Sequence, residues 1–213
     1  MTVYNFKDIL ESDYKSIKKH LDASKLLIYP TETSYAIGAN ALDETAVKKI
    51  YDIKQRDINK PMPILIKDLK MLIRLCFVKR QEEDLISIFW PGPLTILFES
   101  KLDEKYLFNC GSTLIAARIS SHPFAEGLFK EIDYPLIATS LNISGEKSII
   151  NLNNNVNNDF SFYENEIIAV DDGILNGGSS TIIKVEKEKI NIARPGENNI
   201  KERFMCYIKN ING

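Results

Sequence analysis

The chain has 213 residues, 44% hydrophobic and 26% charged, which is enough apolar material for a substantial core in one globular domain. Its formal charge of −2 supplies no global basic field, so any contact with nucleic acid has to come from a local patch. Cys76, Cys110 and Cys206 are isolated and His20 and His122 are the only histidines, which argues against a disulfide framework and a zinc ribbon and excludes a multi-histidine metal site.

The N-terminal residues from Met1 to Asp8 lack the basic-then-apolar order of a signal peptide, and no apolar run is long enough to span a bilayer, so a cytoplasmic chain without membrane contact is expected. Tyr14, Ile17 and Leu21 recur at helical spacing among lysines, predicting an amphipathic helix over 12–23 with His20 at its surface. Leu26-Leu27-Ile28-Tyr29 reads as a buried strand ended by Pro30. The polar turn Thr31-Glu32-Thr33 and a second strand from Ser34 to Ile37 follow. Asp43 is a fitting N-cap for a helix with the apolar face Ala46, Val47, Ile50 and Ile53, running to about Gln55 and placing Lys54 and Arg56 in its last turn.

Pro61 and Pro63 force a loop before the strand Ile64-Leu65-Ile66. Helices are predicted near 68–76 and 81–89, stopped by Trp90-Pro91-Gly92-Pro93, with a strand at 94–98. Residues 114–119 form an apolar strand interrupted by Arg118, and His122-Pro123 opens a helix. Pro135 to Thr139 reads as one strand running out into Ser140-Leu141-Asn142. The asparagine-rich tract 151–158 is expected to be a mobile surface loop, because it has little apolar area to bury. Strands at 167–170, 181–185 and 190–193 and a helix at 200–208 close the chain. The alternation of strands and helices, followed by consecutive strands, implies a three-layer α/β domain (of α+β type) with a mixed sheet.

No glycine-rich phosphate loop, nucleophile elbow or zinc helix motif is present, so side chains would have to hold any nucleotide. Lys54 and Arg56 admit two readings, complements of a helix dipole or anion ligands. Ser140 and Asn142 are turn formers or contacts, and Thr31, Thr33, Ser179 and Ser180 are capping hydroxyls or contacts. A buried guanidinium at Arg118 demands an anion, either a ligand or a carboxylate of the chain itself. Glu32 and Asp171-Asp172 are metal-binding or simply solvated.

Tyr29-Pro30-Thr31-Glu32-Thr33, Lys54-Gln55-Arg56, Trp90-Pro91-Gly92-Pro93-Leu94-Thr95, Ala117-Arg118 with His122-Pro123, Ser140-Leu141-Asn142-Ile143-Ser144-Gly145, Ser180-Thr181-Ile182 and Arg194-Pro195-Gly196 occur in one order along the chain. In that order they resemble the YrdC-like threonylcarbamoyl-adenylate synthases over about residues 12–200. The resemblance implies a single YrdC-like domain over 1–213, in the short form without a second C-terminal domain. It also implies a twisted mixed parallel and antiparallel sheet around a concave, positively charged cavity.

The same resemblance implies that Lys54, Arg56, Ser140, Asn142 and Arg194 hold ATP, with Lys54 and Arg56 stabilising charge and no covalent nucleophile. It puts L-threonine at Thr31, Arg118 and Ser180, and adds Thr33, Ile58, Pro63, Ala138 and Ser148 around them. The reaction it implies joins L-threonine, bicarbonate or CO2, and ATP with Mg²⁺, and delivers the product to a tRNA threonylcarbamoyl-transferase complex. The chain departs from the family pattern at three places: Asp57 and Leu141 stand where proline and alanine are usual, the one adding negative charge near the phosphates and the other narrowing the cavity, and Gly178-Ser179 replaces a common Val-Glu pair. Two rivals remain, a non-enzymatic module binding double-stranded RNA or tRNA, and a YrdC-fold paralogue with another substrate.

Overall fold

The computed structural model describes residues 1–102, 106–152, 163, 165–187, 189–198 and 200–212. Most of the asparagine-rich tract, from residue 153 on, lies outside the described residues, and the mobile-loop expectation lies there with it. In chain order the elements are β1 (Thr2–Asn5), α1 (Glu11–Leu21), β2 (Leu26–Pro30), β3 (Tyr35–Gly38), α2 (Glu44–Ile53), β4 (Ile64–Leu65), α3 (Leu69–Leu75), β5 (Cys76–Phe77), α4 (Arg80–Phe89), β6 (Leu94–Ser100), β7 (Leu114–Arg118), α5 (Pro123–Glu131), β8 (Leu136–Ile137), β9 (Thr139–Ser140), β10 (Ile167–Asp171), β11 (Thr181–Glu186), β12 (Lys189–Arg194) and α6 (Lys201–Asn212).

The mixed α/β class expected from the sequence is the one observed, with the strands divided between two mixed sheets. One has the order β1-β10-β2-β3-β9, and the other β12-β11-β6-β7-β4-β8 with β5 added on β6. In the first, β2 runs parallel to β10 and antiparallel to β3. In the second, β6 runs parallel to β11 and antiparallel to β7. The predicted strand 135–139 breaks at Ala138, whose N–H donates to the Pro63 carbonyl at 2.8 Å. On one side of the break β8 pairs with β4, and on the other β9 pairs with β3. The chain therefore crosses from one sheet to the other at Ala138 and brings Ser140 with it.

Local chemistry explains the elements that carry the site. The Asp43 carboxylate accepts the Ala46 N–H at 3.1 Å and starts α2, whose face of Ala46, Val47, Ile50 and Ile53 is buried. The helix ends at Ile53; Lys54 is its C-cap and Gln55 adopts φ 47°, so Lys54 and Arg56 lie beyond the last turn rather than in it. Gly38 is required in β3, since a Cβ there would stand 2.5 Å from the Ile137 carbonyl. Tyr29 is buried beside it and donates its hydroxyl to that same carbonyl at 2.8 Å, fastening β2 to β8. His20 is half-buried rather than on the surface, with Nε2 3.1 Å from the Leu26 carbonyl and 3.2 Å from that of Glu166.

Candidate active site

A cavity of about 470 Å³ is lined from both sheets and by the turns that join them. Among the sequence-predicted residues, Thr31, Thr33, Arg56, Pro63, Arg118, Ala138, Ser140, Ser148, Ser180 and Arg194 line it. Lys54, Asn142 and Ile58 do not. Three lining residues are arginines, and no Asp or Glu is among them.

Strand alternation along β7 sets Leu114, Ala116 and Arg118 in a row toward the cavity. Arg118 answers the demand of a buried guanidinium from within the chain: its Nη1 donates to Glu32 Oε1, and the other oxygen of that carboxylate accepts from the Ser120 hydroxyl at 2.5 Å. The pair is 7% and 13% exposed. Glu32 is thus a counter-ion, neither metal ligand nor freely solvated. Asp171 and Asp172 are likewise engaged, Asp171 accepting from the Tyr35 hydroxyl at 2.8 Å and Asp172 facing His122 Nε2 at 3.2 Å.

Thr31 is turned inward. Its hydroxyl donates to the Ser34 carbonyl at 2.7 Å and accepts the Thr33 and Ser34 N–H groups at 3.3 Å each, so its proton is committed to the turn. The Thr33 hydroxyl lies 3.0 Å from that of Thr31. On the other side Arg194 Nη2 donates to both the carbonyl and the hydroxyl of Ser180, at 2.9 and 3.0 Å. Burial, then the charges of Arg118 and Arg56, push Arg194 below the ordinary arginine range, so the three guanidiniums feel one another across the cavity.

Lys54 meets the Ser140-Leu141-Asn142 turn, as the family resemblance implied, but it faces the turn from behind. Its ammonium, 1% exposed, donates to the Ser140 carbonyl at 2.5 Å, the Asn142 carbonyl at 2.7 Å and Asn142 Oδ1 at 2.9 Å. Three donors meet three acceptors, which leaves no N–H for a ligand. Burial and the Arg56 charge push its pKa down to about 7. Ser140 in turn donates to Asn142 Oδ1 at 2.7 Å, and Asn142 Nδ2 donates to the Glu146 carbonyl at 2.6 Å, so Lys54 and Asn142 shape the turn that presents Ser140. Arg56 is held by the Lys60 and Pro61 carbonyls at 3.1 and 2.9 Å and keeps its place on the lining.

Among the described residues no group of three or more His, Cys, Asp or Glu is placed to hold a metal ion, and a lining of guanidiniums and hydroxyls without carboxylates does not fit a resident divalent cation. No helix among the described residues is long and apolar enough to cross a membrane.

The protein-family model Sua5_yciO_yrdC, described as telomere recombination, matches residues 19–196, a span that holds every lining residue of the cavity. The chain belongs to the Sua5/YciO/YrdC family. A Methanocaldococcus jannaschii relative is 32% identical over 197 residues, covering 89% of this chain and 88% of its own. A threonylcarbamoyl-AMP synthase of Pyrococcus abyssi is 34% identical over 174 residues, covering 81% of this chain but 50% of that one, so this chain spans about half the length of that relative. The crystal structure of P. abyssi Sua5 complexed with L-threonine superposes with a TM-score of 0.85 at 30% identity, over 96% of this chain and 60% of that one.

Of the departures from the family pattern, Gly178 and Ser179 lie on the cavity lining, whereas Leu141 and Asp57 do not. Leu141 is fully buried and outside the lining, so it does not narrow the cavity. Asp57 accepts from the Asn59 backbone and side chain at 2.9 and 3.1 Å and also stays off the lining. Sequence reasoning missed Glu32 as the arginine's partner and Thr95, whose hydroxyl reaches Ser180 at 3.0 Å. The apolar setting of Arg118 signalled that an anion was needed, and nothing in the chain order said whether it was a ligand or which carboxylate of the chain.

Proposed function

We propose that this Sua5/YrdC-family enzyme is a threonylcarbamoyl-AMP synthase, condensing L-threonine, bicarbonate-derived CO2 and MgATP to L-threonylcarbamoyladenylate and pyrophosphate. The observation that carries the proposal is the convergence of Arg56, Arg118 and Arg194 with Ser140 and Ser180 on one cavity without a lining carboxylate. Such a lining favours ligands that carry several negative charges. The relative bound to L-threonine and the relatives named for the synthase supply the substrate class.

In the proposed reaction the threonine amine forms an N–C bond to CO2 and releases a proton to water. A carbamate oxygen then attacks the α-phosphorus of ATP, the bond to the bridging oxygen breaks, and pyrophosphate leaves. No protein nucleophile takes part, so the work of the site is positioning and charge neutralisation. Arg56 and Arg194 meet the phosphates, and Lys54 and Asn142 hold the turn that carries Ser140, whose own proton goes to Asn142 Oδ1. Arg118 keeps one nitrogen on Glu32 and offers the remainder of its fork to the threonine carboxylate. Because Thr31 is committed to its turn, Ser180 is left to read the threonine hydroxyl. Magnesium travels with the triphosphate as part of the substrate. A carbamic–phosphoric mixed anhydride is short-lived in water, which calls for direct delivery to a tRNA threonylcarbamoyl-transferase complex.

The test is pyrophosphate release from MgATP across a panel of amino acids, with and without bicarbonate. Release is expected only with threonine and bicarbonate together, and valine should fail because it leaves a buried polar group unpaired. Release with a different amino acid would assign the paralogue reading. Salt-sensitive tRNA binding with no ATP turnover would overturn the proposal in favour of an RNA-binding module.

A further inference from the structure

Ser180 sits just ahead of β11, where the Thr181 N–H donates to the Pro93 carbonyl at 3.1 Å and brings the chain against the start of β6. Thr95 is the second residue of β6, fully buried and off the cavity lining. Its hydroxyl lies 3.0 Å from Ser180 Oγ, and among the described residues it has no other side-chain partner. A buried hydroxyl proton without an acceptor is costly, so the Thr95 proton has to go to Ser180 Oγ. Arg194 Nη2 donates to the same oxygen at 3.0 Å. A serine oxygen has two lone pairs and one proton. Both lone pairs are taken from inside the protein, and among the described residues no acceptor takes the proton.

We propose that Thr95 is a positioning residue that, together with Arg194, fixes Ser180 as a hydrogen-bond donor to a substrate oxygen in the cavity. Thr95 itself touches no substrate. Its effect is one of polarity: without it one lone pair of Ser180 is left free, Ser180 can turn that lone pair to the cavity, and the hydroxyl no longer faces a substrate oxygen as an obligate donor. On the functional reading above, on which this inference rests, that oxygen is the hydroxyl of L-threonine, accepting from Ser180.

The experiment is a double-mutant cycle with Thr95→Val and Ser180→Ala on the full chain, read by calorimetric titration of L-threonine and by the KM and kcat of threonine-dependent pyrophosphate release. Thermal melting confirms that each variant is folded, and Thr95→Ser provides a conservative variant that restores the hydroxyl. The inference expects Thr95→Val to weaken threonine binding 5- to 50-fold on the scale of one hydrogen bond in a closed site, mainly through KM, with Thr95→Ser within about threefold of the parent. In the Ser180→Ala background Thr95→Val should change binding less than about twofold, because its effect runs through a hydroxyl that is gone. Parent-like binding by Thr95→Val, a loss that adds fully to that of Ser180→Ala, or a Thr95→Ser variant as impaired as Thr95→Val would overturn the inference while leaving the synthase reading intact. A parent protein that binds no threonine would overturn both.

Discussion

Arg118→Ala should be strongly destabilising as well as inactive, because Arg118 is one half of a buried ion pair. Its partner Glu32 is 13% exposed on its side chain and, without the guanidinium, would keep only the Ser120 hydroxyl at 2.5 Å among the described residues. Removing one member of a buried pair costs ~3–5 kcal/mol, since the remaining charge is left uncompensated. For a chain of this size each kcal/mol moves the melting temperature by ~2–4 °C. The drop expected for Arg118→Ala is therefore on the order of 6–20 °C. A double variant, Arg118→Met with Glu32→Gln, removes both charges while keeping much of the volume, and should recover to within ~1–2 kcal/mol of the parent. Both variants should lose threonine-dependent pyrophosphate release. The assays are thermal unfolding by circular dichroism or calorimetry, alongside pyrophosphate release at saturating ATP. A single variant that melts with the parent, or a double variant that still turns over threonine, would refute the argument, the first by showing that the pair carries no stability and the second by removing Arg118 from substrate binding.

Lys54→Met should weaken ATP binding by at least ~1.5 kcal/mol in a nucleotide titration, through a loosened Ser140-Leu141-Asn142 turn rather than a lost phosphate contact; unchanged affinity would count against it. Lys54 also makes stability depend on pH in a defined direction. Its folded pKa of about 7 lies below the ordinary value of 10.5, so between those values the unfolded chain holds more protons and this group's contribution to stability rises with pH. The unfavourable contribution is complete below the folded pKa. The unfolding free energy of the parent relative to Lys54→Met should therefore move in the parent's favour as the pH is raised from neutral, at up to ~1.4 kcal/mol per pH unit, and a flat difference would remove the buried charge from the account. Gly178→Ala should disturb the Ser180 side of the cavity, because φ is +91° and a Cβ would stand 1.5 Å from the Glu197 carbonyl. Gly173→Ala, at φ +73° with open space around it, is the control: it carries backbone strain of ~1–2 kcal/mol without a clash, so threonine affinity should fall in the first variant and hold in the second.

The fold was legible wherever burial and periodicity coincide. The face of α2 with its Asp43 cap, and the apolar runs of β2, β6 and β7, are written in spacing that solvent exclusion demands. β1 was not legible, because three of its four residues are exposed and it carries no apolar alternation; it is held by its parallel pairing to β10. The break of the strand 135–139 depends on which partner each half finds, and that is set by the meeting of two sheets.

For the site, the residue types could be read and their hydrogen-bond directions could not. Arg118 announced a need for an anion, but Glu32 is 86 positions away in sequence and only the turn after β2 brings it there. Lys54 looked like an exposed cation at a helix end because its three acceptors, two of them backbone carbonyls, leave no mark on composition. Thr31 and Ser180 look alike as hydroxyls beside a cavity. Thr31 gives its proton to Ser34 within its own turn, whereas Ser180 accepts from Thr95 and Arg194 and keeps its proton for the cavity. The same functional group is thereby closed to a substrate oxygen in one place and open to it in the other, and what separates them is which neighbours the fold supplies.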